Sequence, residues 1–431
     1  MLPVVAALVL VFAAGCTSSK PNVMPSAPAP TSSSAESLAP ARSASAGPSS
    51  TVVNSALISS PPHGWVTVRG LYPHEHSPCK HAKQPLLHAR YPGTLSIHRS
   101  DDGTLAVTVA LPFEAYLDGI AEMPPSWPEA ALEAQAIAAR TYALATTGWD
   151  GAQGETLKTP ICATSSCQVY DGIPIGNEPH IHRWYRAVRL TSGQVLLFDG
   201  HPAQTVYFST SNGHTYGNEE VFDTAPLPYL RPVVENDDGA SPLSHWSVHL
   251  PYADLDRFLV QAGEWQGGTA ISDIRLEGQT IVVRGGGTLR SMDLSTFRDA
   301  VNEWAECLEP GRYPQGGMPT TIPSSSLSVS AGPSSMTVTG RGWGHGVGMV
   351  QWGAYGKARR GWSDGQILSY YYGGLRPQRY PEPGLIHVQV ASGLTSLRIL
   401  PSGSGARVDG EAVGPGRITV SGGDELRVRG S

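Results

Sequence analysis

Apolar and polar residues alternate at WVTVR (65–69) and LAVTV (105–109), which predicts β-strands with one buried face. Strand-like runs return at QVLLF (194–198), TVYF (205–208), IVVR (281–284) and MTVT (336–339). Between 123 and 145 the period becomes helical: Leu132, Gln135, Ala136, Ala139 and Ala143 fall on one face. Most of that face is alanine, so a neighbouring element can approach closely. SWPE (126–129) reads as a capping box with proline in the first turn. A second box, SDGQ (363–366), opens a helix through Ile367 and Leu368 to Tyr372, and another helical stretch spans 294–307. The Pro/Gly/Ser-rich stretch 310–326 is expected to be a long surface loop. After Pro377 come short strands at VQV (388–390), LRIL (397–400) and RITV (417–420), separated by turn residues. The pattern predicts an α+β fold of mixed helices and short strands forming a cleft, with a small β-rich C-terminal module over 377–431.

The N-terminus changes the picture. Residues 2–15 form an apolar and small-residue run ending in Ala13-Ala14-Gly15-Cys16, the length of a signal-peptide core. Small residues before a cysteine suit lipoprotein processing, so 1–16 is read as a signal peptide with Cys16 as the lipidation site. No Lys or Arg precedes the run, and a simple cleaved signal is the alternative. Either way the mature chain is expected outside the cytoplasm, held to the membrane through a lipid on Cys16 or secreted to the cell wall. Residues 17–56 are nearly all Ser, Ala, Pro and Thr, too poor in large apolar groups to offset ordering entropy, so they predict a disordered tether. Folded sequence is expected from about Leu57, with one unit over 57–376.

Charge excludes one class of partner: a net −6 gives no basic surface for nucleic acid. Of the five cysteines, four remain once Cys16 is set aside, an even number in a disulfide-permissive compartment. Cys162 and Cys167 are near enough to clip a loop, which leaves Cys79 for Cys307, although four cysteines allow three connectivities. The Cys162–Cys167 spacing is not that of a structural zinc site.

Candidate chemistry gathers in three places. Glu122 lies in an apolar setting and is followed by Met123 and two prolines; such a carboxyl should have a raised pKa, as a general acid requires. The alternative is that it caps a helix or pairs with Arg140. Asp118 is a candidate second carboxylate or a solvated acid. The helix behind presents Gln135, Arg140 and Tyr142. CATSSCQVY (162–170) is the second place. The third is RGWGHGVGMVQWGA (341–354), whose alternating glycines let backbone pass close to a ligand or a second segment and leave His345 as a functional candidate. Trp343 and Trp352 either stack on sugar faces or pack. The glycine spacing is not that of a dinucleotide fingerprint.

The motifs LPFEAYLDGIAEMPPSWPEAALEAQAIAARTYAL, CATSSCQVYDG, VYFSTSNGHTYGNEEVF followed by PYLRPV, and GRGWGHGVGMVQWGAYGKARRGWSDGQILSYYYGG resemble, in order, those of the SpoIID/LytB family. The resemblance covers roughly 105–375. It implies an α+β catalytic fold and, for sporulation members, lytic transglycosylase activity on peptide-poor glycan strands. It implies Glu122 as the catalytic acid, with Gln168, Tyr207, Ser209, Ser211, His345 and Gln351 in the cleft; Gln135 and Arg140 join them as substrate-binding candidates. Some members bind zinc through a histidine before the second cysteine. This chain has Ser166 there, so no metal and no cofactor is expected. Asn212-Gly213-His214 stands where the family has Ser-Gly-Gly, which makes His214 a candidate substitute imidazole.

The expected reaction cleaves the MurNAc–GlcNAc bond and forms a 1,6-anhydro ring. Glu122 would protonate the leaving oxygen and then take the C6 hydroxyl proton, with Gln135, Tyr207 and Ser209 orienting the sugar. A hydrolytic muramidase is one alternative. The other is a non-catalytic wall-binding protein that activates or localises an amidase or another cell-wall hydrolase.

Overall fold

Strand-forming runs at the two ends of the folded chain pair with each other, and this decides the architecture. The computed structural model describes residues 55–71, 87–120, 122–152, 157, 159–414 and 416–430. The expected signal segment, Cys16, the tether to 54 and Cys79 with its proposed link to Cys307 lie outside the described residues. A seven-stranded sheet runs in the order Glu411–Ala412, Arg407–Val408, Ser55–Ser59, Thr94–Arg99, Leu105–Pro112, Leu385–Leu394 and Ile161–Cys162. In it Leu385–Leu394 lies antiparallel to Leu105–Pro112, with Ile386 opposite Leu111 and Val388 opposite Val109. These four side chains are fully buried, as the period-two pattern requires. A five-stranded sheet likewise places Ser396–Pro401 between Val66–Leu71 and Ile418–Ser421.

The 377–431 segment is therefore not a separate module. Its strands pair with strands of residues 55–112 in two sheets, and Pro377–Arg379 pairs with Gln194–Phe198; all share one hydrophobic core.

Eight helices are described: α1 (Phe113–Asp118), α2 (Glu129–Thr146), α3 (Ile181–Leu190), α4 (Asn218–Phe222), α5 (Tyr252–Gln261), α6 (Leu294–Leu308), α7 (Gln351–Arg359) and α8 (Asp364–Tyr371). None is long and apolar enough to cross a membrane among the described residues. The centre is α2, buried on nearly every side, including the faces carrying Ala131, Ala134, Ala138 and Ala139. Small side chains let α3, α7, α8 and the strand Gln194–Phe198 all close on it. The SWPE box does not form: Pro128 precedes the first turn with no side-chain cap, and Glu129 pairs with Arg186 at 3.2 Å instead. The SDGQ box does form, with Gln366 N–H donating to Ser363 Oγ at 3.2 Å and the Ser363 N–H donating to Gln366 Oε1 at 2.9 Å.

The expected single unit over 57–376 contains two cores. Between Leu243 and Gly340 the chain builds a second one around Val248, Leu255, Phe258, Ile281, Val283 and Val301. Two three-stranded antiparallel sheets, α5 and α6 enclose it. The chain leaves the first body near Leu243 and rejoins it near Gly342, whose N–H donates to the Leu243 carbonyl at 2.8 Å; just beyond, Thr210 and Trp343 exchange backbone hydrogen bonds of 3.1 and 2.8 Å. The stretch 310–326 is also not purely a surface loop. Ile322 is fully buried, and its carbonyl accepts from Arg298 and Asn302.

Arg140 proves to be part of this framework. Its side chain is fully buried and pairs with Glu382 at 2.6 Å and Glu114 at 3.2 Å, while donating to the Val188 carbonyl at 3.0 Å. A guanidinium committed to two carboxylates and a carbonyl is spent on tying α2 to α1, α3 and the C-terminal segment, so the substrate-binding expectation for it is corrected. Arg140→Met strands the half-buried Glu382 carboxylate; a loss of about 3 kcal/mol is expected in urea unfolding at neutral pH. A chain ending at residue 376 lacks two central strands. It is expected to stay unfolded by circular dichroism, where a detachable module would leave a folded remainder.

Candidate active site

The loop between α1 and α2 carries Glu122 and is pinned from three directions. Trp127 N–H closes a turn onto the Pro124 carbonyl at 3.0 Å, and the buried Trp127 ring packs on Trp352 and Tyr355 of α7 at 4.7 and 5.0 Å. Arg183 of α3 donates to the Ser126 carbonyl at 2.8 Å. Gln351, the first residue of α7, is buried and donates from Nε2 to the Glu122 main-chain carbonyl at 3.0 Å. With two prolines restricting the backbone between these anchors, the loop has little freedom.

Glu122 itself keeps some solvent contact as a residue while its carboxyl is largely withdrawn from water. Desolvation raises its pKa to about 7; a hydrogen bond from the Val169 N–H to Oε1, 2.7 Å, opposes that rise, and the negative charge of Asp171 adds to it. No Arg, Lys or His bears on its charge among the described residues. Its neighbourhood is phenolic instead: the hydroxyls of Tyr116, Tyr142 and Tyr207 all feel its charge, and burial pushes all three above the ordinary tyrosine value. They therefore stay protonated as donors. The alternative of a Glu122–Arg140 pair is not what forms.

Around this acid the sequence-derived candidates separate into groups. Gln135 is fully buried on α2; its Oε1 lies 3.5 Å from Gln351 Nε2, and its own amide nitrogen has no hydrogen-bond partner among the described residues. Tyr207 presents a buried hydroxyl beside Gln168 but out of good hydrogen-bond geometry with it. Gln168 is fully buried, accepting from the Tyr116 hydroxyl at 2.6 Å and donating to the Ala139 carbonyl at 3.0 Å. Ser209 is half-buried, its Oγ 3.1 Å from Thr210 Oγ1.

Two further candidates are occupied by the framework. Ser211 is buried and donates to Asp238 Oδ2 at 2.7 Å from both its N–H and its hydroxyl. His345 accepts from the Val347 N–H at Nδ1, 3.1 Å, so Nε2 carries the proton and donates to the Tyr207 carbonyl at 2.8 Å. Its ring lies against Phe208 and Phe222, and burial pushes its pKa down to about 4, leaving it neutral at neutral pH. Both nitrogens are used by backbone, which corrects the expectation that His345 contacts substrate: it ties the glycine-rich run to the strand bearing Tyr207. The second segment allowed for by the glycines is 206–216. At Gly348, φ is +77° and a Cβ would meet the Val206 carbonyl at 2.0 Å; at Gly342, φ is +82° and a Cβ would meet the Thr210 carbonyl at 2.7 Å.

His214 is exposed and packs edge-on to Tyr216 at 4.7 Å. Trp352 packs within the Trp127–Tyr355 cluster, and Trp343 packs against the second core. Asp118 has its pKa raised to about 6 by burial and by Glu114, with Arg189 opposing; Glu122 is not among the charges acting on it, so the two acids do not form a pair. Cys162 and Cys167 are joined in a disulfide. With those sulfurs bonded to each other and Ser166 in the imidazole position, the residues do not fit the zinc of some relatives.

Sequence reasoning passed over Tyr116 and Asp171 as neighbours of the acid. Tyr116 lies six residues before Glu122 across a helix end, and Asp171 two after Val169, so the alternation beyond the disulfide was the one available signal.

A family model described as stage II sporulation protein matches residues 101–198, which include Glu122, Gln135 and Gln168. An uncharacterized protein of Brachyspira hyodysenteriae is 30% identical over 66% of this chain and 71% of its own length. Stage II sporulation protein D of Bacillus subtilis is 29% identical over 62% of this chain and 74% of its own. The amidase enhancer of Bacillus subtilis is 28% identical over 60% of this chain, but the match spans only 39% of that longer protein. The match at 30% identity across most of a relative, the family model on the acid-bearing segment and the four ordered motifs lead to one conclusion: this chain belongs to the SpoIID/LytB family.

Proposed function

We propose that this protein acts on the cell wall, outside the cytoplasm, as a lytic transglycosylase that cuts peptidoglycan glycan strands between MurNAc and GlcNAc. The observation that carries the reading is the Glu122 carboxyl, its pKa raised to about 7 by desolvation and held by one N–H, with no cation acting on it among the described residues. A carboxyl poised there can give a proton and recover one near neutrality. Protonated Glu122 donates to the glycosidic oxygen as the C1–O bond breaks. The resulting carboxylate then removes the proton from the C6 hydroxyl as O6 closes on C1, so the acid is regenerated and no water is consumed. Glycoside hydrolysis ordinarily uses two carboxylates flanking the bond. The anhydro route needs one. Tyr207 and Gln135, whose buried donors have no partner among the described residues, and Ser209 are the groups for orienting the sugar. Peptide-poor strands are the proposed substrate, and the lipid anchor at Cys16 belongs to the same reading.

A second reading is an accessory protein that binds glycan and stimulates an amidase; the similarity to the amidase enhancer favours it. Product analysis by mass spectrometry on intact and peptide-stripped peptidoglycan separates the readings. Anhydro ends are expected from the transglycosylase, ends heavier by one water from a muramidase, and no new ends but faster amidase release from an accessory protein. Glu122→Gln is expected to abolish anhydro products, a loss of at least about 100-fold, with unchanged circular dichroism. Full activity in that variant removes Glu122 from the mechanism. The reactive form is the protonated one, so kcat/KM should fall as pH rises through about 7. A rate that climbs across that range contradicts the assignment.

A further inference from the structure

The support of Glu122 reaches two side chains beyond the acid. Tyr116 of α1 is fully buried, and its hydroxyl donates to Gln168 Oε1 at 2.6 Å. The other end of that amide donates to the Ala139 carbonyl of α2 at 3.0 Å, so Gln168 is fixed at both ends. The next residue is Val169, whose N–H meets Glu122 Oε1 at 2.7 Å. We propose that Tyr116 and Gln168 are positioning residues for Glu122: they fix the 168–169 peptide so that its N–H holds Oε1 and leaves Oε2 to exchange the proton with substrate. This rests on the reading of Glu122 as the acid and adds what aims it.

The physical reason lies in the end of the glutamate side chain. Its terminal torsion is broad and nearly two-fold, so a carboxyl without an anchor presents either oxygen at many angles. An arginine or lysine would orient it strongly but would also drag its pKa down and ionise it. A neutral relay orients the group while leaving the proton in place. The titratable groups facing Glu122 are consistent with that division: Tyr116 from α1, Tyr142 from α2, Tyr207 from the strand Tyr207–Phe208, and Asp171 from the segment beyond Val169. None is a cation. Of the three tyrosines, Tyr116 is the one whose hydroxyl is bonded to Gln168.

The test compares Tyr116→Phe and Gln168→Met with wild type and with Tyr170→Phe. Tyr170 packs on Tyr116 at 5.2 Å, and its buried hydroxyl has no hydrogen-bond partner among the described residues, so it reports general loosening of the aromatic cluster. Loss of the relay is expected to lower kcat by about tenfold or more while KM changes by less than about twofold. The Val169 N–H favours the carboxylate, so weakening it should move the alkaline limb of the rate profile to higher pH. The same shift should appear, independent of activity, in a carbon-13 titration of the glutamate carboxyls, with the Glu122 signal identified by its absence in Glu122→Gln. Tyr170→Phe should leave rate and titration unchanged. The proposal is overturned if Tyr116→Phe matches wild type in both, or if Tyr170→Phe moves them equally. Should the wild-type protein make no anhydro ends, the functional reading fails, while the carboxyl titration still decides the relay.

Discussion

The hydrogen bond from the Val169 N–H to Glu122 Oε1 joins segments 47 residues apart, and the surrounding structure is arranged to keep it made without ionising the acid. One oxygen is held, and no positive side chain acts on the pair among the described residues. That balance is narrow. A second strong donor or a cation would pull the carboxyl towards the ordinary acidic range; losing the N–H would leave it unoriented. Gln351 on the Glu122 carbonyl and Gln168 beside Val169 secure the two backbones that must meet. Both are amides, which hold position through hydrogen bonds and bring no charge.

The second constraint is close approach. Helix α2 can lie at the centre because its alanines let four elements reach its backbone, and the Ala139 and Ala138 carbonyls then accept side chains from Gln168 and Thr205. The glycine-rich run works similarly. Its left-handed glycines bring 342–348 against 206–216, and His345 becomes the fastener between them. A histidine between glycines looks exposed on paper. In the fold it is the buried stitch, kept neutral by loss of water, which outweighs the opposing pull of the Tyr207 carbonyl.

Charge is handled elsewhere, away from the acid. Arg140 binds Glu114 and Glu382, and the buried Lys357 binds Glu235 and Asp237 at 3.0 and 2.9 Å while Tyr371 also bonds Glu235. These pairs fasten the loops and helices whose side chains reach Glu122, and their carboxylates balance their cations locally. Segregation of this sort leaves a phenol- and amide-lined environment at the acid, with Asp171 beside it and no cation acting on it among the described residues, suited to an uncharged sugar linkage.

Much of the local structure was legible in the sequence. Apolar runs marked several strands of the first core, Val66–Leu71 and Leu105–Pro112 among them, SDGQ marked the start of α8, and the cysteine spacing marked the clipped loop. Glu122 was legible as a desolvated acid because apolar neighbours and prolines are local features. What the sequence could not convey was partnership across distance. Whether Arg140 met Glu122 or Glu382, whether the final strands stood alone or lay inside the first sheets, and whether His345 faced solvent or a carbonyl all depend on segments far apart in the chain, as in the pairing of Ile58 with Val408 and of His345 with Tyr207. Local propensity limits which element a residue joins. Only the packed fold, through burial and the demand that each buried polar group be satisfied, chooses its neighbour.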